Sequence, residues 1–238
     1  MRKAILGAMV TLLLVGAYAS YVVSYPKYPK VEGCVNPFAV VKPVSRVQEN
    51  WSKIHVFFKL ATSRDFWKLA KPWNVDYSHV KVIKHTFEYK GKNITMLAMG
   101  IPLRDKKHVI ALYEFSKPVQ GVKRKAYLFE ITNNKSEIKV EATVTNGYYS
   151  TNDECVHRCR SSEDCDFLER CETYCCSVNV RCAIECCATG GNGWCTIPCL
   201  AGPAVCLTCI VVACPLCVAV ATCCDKEGSK CAPIVPGP

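Results

Sequence analysis

The absences in this 238-residue chain are local, and each excludes something. Residues 1–154 contain a single cysteine, Cys34, so any disulfide made there must reach outside that part. Between Cys186 and Cys224, thirty-nine residues hold no Asp, Glu, Lys, Arg or His. Nowhere is there an H-E-x-x-H metal motif, a phosphate-binding glycine loop or a G-x-S-x-G nucleophile elbow. Histidine is scarce. His55, His79, His85 and His108 are scattered and read as surface or strand residues, and the cysteine-rich end has only His157. No catalytic constellation emerges, and neither an enzyme nor a bound cofactor is expected.

What is present divides the chain in two. Residues 1–147 carry 24 Lys+Arg against 10 Asp+Glu, a net of +14, whereas residues 148–238 carry 6 against 10, a net of −4. Eighteen of the nineteen cysteines fall between Cys155 and Cys231. That density reads as a disulfide scaffold, whose pairing sequence cannot supply.

The chain begins with Arg2-Lys3, the apolar run AILGAMVTLLLVG and Ala17-Tyr18-Ala19. This is the pattern of a signal peptide (residues 1–19) cut after Ala19, with residues 4–23 as an uncleaved anchor in the alternative. Either sends the chain out of the cytoplasm, where disulfides persist. Sequons at Asn50, Asn93 and Asn134 fit that location. The expectation is a secreted protein, or one anchored at the extracellular face of the membrane.

Residues 20–43 read as a linker, because each proline of Tyr25-Pro26-Lys27-Tyr28-Pro29-Lys30 disfavours helix before it. Over 44–147 an α+β domain is expected. Val44, Val47, Trp51, Ile54 and Phe58 recur at helical spacing, and Ser63 caps a second helix carrying Phe66 and Leu69 that Pro72 ends. The period then becomes two, predicting five antiparallel strands at 79–89, 93–102, 108–115, 123–131 and 138–145. Its lysine-rich surface is either a solvated face or a counter-charge for the acidic half. For an exported chain, nucleic acid is not the expected partner. Residues 148–154 form a polar junction suited to proteolysis.

From 155 to 238 a small, mostly helical domain is expected. Cys155/Cys159, Cys171/Cys175, Cys182/Cys186 and Cys195/Cys199 are each four apart, the spacing of one helix face. The doublets Cys175/Cys176, Cys186/Cys187 and Cys223/Cys224 each offer sulfurs to two neighbours, and Cys165 and Cys231 complete the set with the pairs below. Two C-x-x-x-C-C units predict helix, bend, helix, with Ala188-Thr189-Gly190-Gly191-Asn192-Gly193 as a turn. Zinc knuckles at Cys206/Cys209 and Cys214/Cys217 are the competing use of sulfur, but only four residues separate them.

Residues 204–224 would form a helix of about 31 Å, close to a bilayer's hydrocarbon thickness. The candidate membrane-active residues are Ala204, Val205, Leu207, Ile210, Val211, Val212, Leu216, Val218 and Val220. The same run read as the hairpin core of a disulfide-tied domain needs turns at Gly202-Pro203 and Pro215.

The stretch CAIECCATGGNGWCTIPCLAGPAVCLTCIVVACPLC, Cys182 to Cys217, resembles the centre of halocin C8-type archaeal bacteriocins. The plan of signal, N-terminal half, polar junction and cysteine-rich end is similar too. The resemblance implies a secreted antimicrobial precursor. A processing protease would release the C-terminal part to attack a target-cell membrane, and the N-terminal half would serve as immunity or inhibitory domain. The sequence departs from the family in its Arg2-Lys3 start, where a twin-arginine signal is expected, and in its extra cysteines. The alternative from another class is an anchored, disulfide-hardened cell-surface binding or structural module.

Overall fold

A computed structural model describes residues 36–132, 137–152, 155–191, 195, 199–219 and 223–234. Ala17, Ala19, the 4–23 segment, Cys34, Asn134 and Val220 lie outside them.

Nine strands make one antiparallel sheet, ordered β1-β2-β3-β4-β5-β6-β8-β9, with β7 paired to β6. The strands are β1 (Lys42–Gln48), β2 (Lys81–Tyr89), β3 (Lys92–Pro102), β4 (His108–Val119), β5 (Val122–Ile131), β6 (Glu137–Thr145), β7 (Tyr148–Thr151), β8 (Glu169–Asn179) and β9 (Cys224–Pro233). The hairpin turns explain much of this order. Lys90-Gly91, Gln120-Gly121 and Asn146-Gly147 each hold two successive residues at positive φ. That is the twist-matched geometry of a two-residue hairpin, which Asn-Gly and X-Gly pairs accept at low cost.

The period-two pattern gives the sheet two apolar faces. One carries Val82, Met99, Ile101 and Ile110 and packs against Val56, Leu60 and Phe66 of α1 (Lys53–Ala61) and α2 (Arg64–Trp67). Ser52 and Ser63 cap these two helices through their hydroxyl oxygens. The other face carries Ile83, Phe87, Met96, Ala98, Ala111, Tyr113, Tyr127 and Phe129, and the cysteine-rich half covers it. That half leaves the sheet after β8 and runs through α3 (Val180–Gly191), α4 (Pro203–Ala213) and α5 (Pro215–Ala219) before returning as β9. These three helices are part of an excursion between two paired strands.

These observations overturn the expected fold class of two helices, a five-stranded sheet and a separate helical domain. Lys42–Gln48 is a strand, so Val44 and Val47 do not belong to the first helix. They are exposed, as are Ile54 and Phe58, while Val56 and Leu60 point inward. A three-and-four spacing that ran across the strand–helix boundary had selected the solvent side. No helical C-terminal domain stands apart, because β8 pairs with both β6 and β9. Cys171 and Cys175 lie on β8. Residues four apart share a face on a strand as well as on a helix, so that spacing does not distinguish them. The expected turn at 188–193 is instead helix as far as Gly191.

The uncharged run does not make one long helix. Cys214 leaves helical geometry at φ −134° and ψ 57°, and Pro215 begins α5. Among the described residues no helix is long and apolar enough to cross a membrane. Phe38, within the expected linker, is buried against Tyr113 and Phe115. The expected junction contains a paired strand, β7.

Helix α4 lies directly on β3. A Cβ built on Gly100 would stand 2.5 Å from the Thr208 carbonyl oxygen and 3.0 Å from Val212 Cγ1. The first contact is too close for any side chain and is to rigid backbone, and the second is tight. Gly100→Val is therefore expected to lift α4 and cost about 1–3 kcal/mol, the usual range for overpacking. Urea unfolding of the oxidised chain measures this.

Candidate functional site

The candidate site is the socket in which the basic half holds α4. Cys206, Leu207, Thr208, Cys209, Ile210, Val211, Val212 and Ala213 are all buried, so α4 has no polar face to turn to water. Burying Leu207, Ile210, Val211 and Val212 contributes roughly 6–12 kcal/mol at 1.5–3 kcal/mol each. That is comparable to the net stability of a whole domain.

A helix end leaves its last carbonyls without intrahelical partners, and burying them unmatched is costly. Here three side chains of the basic half meet them in succession. Tyr113 on β4 donates its hydroxyl to Val211 O at 2.7 Å, and His85 Nε2 on β2 donates to Val212 O at 2.6 Å. Arg46 Nη1 on β1 donates to Ala213 O at 3.0 Å. Arg46 and His85 are cross-strand partners. The guanidinium also places positive charge at the negative end of the helix dipole. Burial lowers the Arg46 pKa and raises that of Tyr113 well above its ordinary value. The imidazole of His85 is held down to about 4, first by burial and, against the pull of its bond to Val212, also by nearby Arg46.

A second contact between the halves is charged and buried. Arg170 Nη2 and Nε on β8 donate to Glu172 Oε1 at 2.9 and 3.1 Å. Lys125 Nζ on β5 stands 3.7 Å from Glu172 Oε2, to which Thr145 also donates at 3.3 Å. Arg170 Nη1 reaches Gln120 O in the β4–β5 turn at 2.6 Å. Lys125 is fully enclosed, and burial lowers its pKa. Lys230 on β9 donates to Asn152 Oδ1 at 2.9 Å, to Thr143 and to Ser150, so it grips the junction strand. Its pKa falls to about 7, through burial first and the nearby Lys125 charge second. The halves thus meet through the β6–β8 ladder, an apolar helix and one buried charge cluster.

All eighteen cysteines from Cys155 onward are bonded to one another. In β8, β9 and the segment before them, Cys155 pairs with Cys176, Cys159 with Cys171, Cys165 with Cys231 and Cys175 with Cys224. Cys182 of α3 pairs with Cys223 at the foot of β9. Cys186–Cys217 and Cys187–Cys214 tie α3 to α5 and the α4–α5 bend, and Cys195–Cys209 and Cys199–Cys206 tie α4 to the segment before it. Each doublet serves two different partners. The sulfurs of both C-x-x-C knuckles are thereby bonded as disulfides. No disulfide among the described residues crosses to the basic half. Nine bridges fit an extracellular or secreted protein.

Of the candidate membrane-active residues, Leu207, Ile210, Val211, Val212 and Val218 are buried, while Ala204, Val205 and Leu216 are partly so. The sequence did not single out Arg46, Tyr113, Lys125, Arg170, Glu172 or Lys230, and read His85 only as a strand histidine. The available signal was polar side chains in step with inward-facing apolar ones: His85 between Ile83 and Phe87, Lys125 before Tyr127 and Phe129. Two surface cavities, of about 100 and 350 Å³, are lined by α1 residues or the β1–α1 loop and by strand residues such as Leu97 and Glu114.

Two outcomes are expected. Glu172→Gln leaves Lys125 and Arg170 buried without their counter-charge, and should cost about 3–5 kcal/mol in chemical denaturation. His85 binds a proton more weakly folded, at about 4, than unfolded, at 6.5. Its contribution is complete above pH 6.5 and is lost as pH falls towards 4. Relative to His85→Gln, which can still donate to Val212, the wild-type chain should lose about 3 kcal/mol over that interval. Comparison with known protein families, curated proteins and solved structures finds no match for this chain.

Proposed function

We propose that the chain is a secreted precursor of a halocin-type antimicrobial protein. The cysteine-rich part from about residue 150 is released by a protease and kills related cells by perturbing their membrane. Until then the basic half keeps it inactive. The observation that carries this reading is the division of covalent and non-covalent links. The described disulfides all lie on one side of the junction, and the uncharged helix is buried entirely by residues from both sides. One backbone cut therefore leaves two pieces held together without a covalent bond. Once they separate, α4 loses the strands that cover it, and its apolar surface has a lipid phase as an alternative.

In this reading the inhibitory contact is the Arg46–His85–Tyr113 socket together with the Lys125–Glu172–Arg170 cluster. It does not depend on the +14 and −4 net charges of the two halves. The disulfides keep the released part ordered while its partner leaves. Its likeness to halocins rests on the Cys182 to Cys217 stretch.

The test uses the full oxidised chain with a specific protease site inserted between Asn152 and Cys155. After cutting, the pieces should still co-migrate under native conditions and separate under non-reducing denaturation. The dissociated cysteine-rich piece should release dye from vesicles of archaeal lipids, whereas the uncut chain should not. Adding back the basic piece should suppress leakage even at about 1 M salt, since buried contacts are screened far less than exposed ones. An inert cysteine-rich piece, together with only intact chain on producing cells, would instead support the anchored surface module.

A further inference from the structure

We propose that His108, Glu130 and Glu141 form a site for a divalent transition-metal ion of the zinc type, on the far side of the sheet from α4. The three residues come from three neighbouring strands. His108 opens β4 and is paired with Glu130 of β5. Glu141 sits on β6 at a register shift, where Phe129 pairs with Val140 and Leu128 with Ala142. A bulge there re-aims the extra side chain, a device often found beside functional sites. One ligand atom from each residue lies within 4.8 Å of the other two, and all three side chains are partly exposed, so an ion has an entry path.

The separation of His108 and Glu141 suits the ion. Four ligands about 2.0–2.1 Å from zinc in a tetrahedron stand roughly 3.3–3.4 Å apart. His108 Nε2 and Glu141 Oε2 are 3.3 Å apart. The imidazole is also oriented as a ligand. Its Nδ1 lies 2.7 Å from Asp105 Oδ2, while Asp105 Oδ1 accepts the backbone N–H groups of Lys107 and His108 at 2.9 and 3.0 Å. With Nδ1 turned to this carboxylate, Nε2 is the ring nitrogen that faces Glu141 and is placed to ligate. This carboxylate–histidine arrangement is the usual outer support of a metal-ligating histidine. Three protein ligands leave the fourth position to water.

Such an ion would clamp β4, β5 and β6 together and stabilise the folded chain by mass action. The site shares no side chain with the α4 socket and stands apart from the antimicrobial reading.

Zinc titration of the full oxidised, untagged chain against a chromophoric chelator tests it. The expected result is one equivalent per chain, with a rise in melting temperature. Cobalt in its place should give the visible absorption of a low-coordinate site. His108→Ala and Glu141→Gln should each weaken binding at least tenfold and abolish the melting shift. Asp105→Asn, which acts only by positioning His108, should weaken it about tenfold. His79→Ala is the control: His79 Nδ1 lies 2.7 Å from Asp76 in the same way, but among the described residues it belongs to no such three-residue cluster. It should change nothing. Intact mass and circular dichroism establish that each variant keeps its disulfides and fold. No zinc bound by the wild-type chain, or binding undiminished in His108→Ala, would overturn the proposal and leave the cluster as an ion pair between a charged His108 and its carboxylates.

Discussion

Helix α4 ends inside the protein with carbonyls that its own turns do not satisfy, and the basic half supplies their donors. Tyr113, His85 and Arg46 meet Val211, Val212 and Ala213 one after another along three strands. The remaining architecture follows from this. A helix that is apolar on every side requires a surrounding core, and the sheet provides one at the face where Gly100 allows backbone to approach backbone. Apolar burial supplies the larger share of the free energy. The three polar contacts fix the position of the helix, because dispersion and hydrophobic burial have little directional preference.

The disulfides and the sheet divide the task of holding the cysteine-rich half. Bridges join α3, α4, α5 and the β8–β9 ribbon to one another, constraining that half from within. Attachment to the basic half is by the β6–β8 ladder, the socket and the buried Glu172 cluster. Buried charge of this kind adds little net stability, because desolvation offsets attraction, but a displaced partner is costly. Glu172 and its three neighbours therefore act as a register mark for docking. A disulfide-complete half that, apart from the backbone of the junction, is held only by non-covalent contacts is the physical basis of the precursor proposal.

Parts of the fold were legible because they are local. Lys90-Gly91 and Gln120-Gly121 mark turns by conformational preference alone, and Ser63 caps a helix through a bond three residues away. The face of α1 was misread because Val44 and Val47 lie on an edge strand whose exposed valines happened to match helical spacing with Ile54 and Phe58. Cys171 and Cys175 were misread for a different reason. A four-residue interval keeps one face in either secondary structure, so only the pairing partner β9 reveals the strand.

By itself the sequence determined the two-part chemistry of the chain: which half carries the sulfur, which carries the positive charge, and which run cannot face water. Those properties are sums over residues and need no fold. Only the tertiary structure decided that the uncharged run is broken at Cys214 and laid across the sheet of the other half. It also decided that Arg46, His85 and Tyr113 share one task. Those three residues are far apart in the chain and unremarkable singly. Strand pairing sets Arg46 opposite His85 and brings Tyr113 to the same face two strands away, and the helix they cap comes from more than ninety residues further on. Such a contact is fixed by long-range packing, which local spacing does not encode.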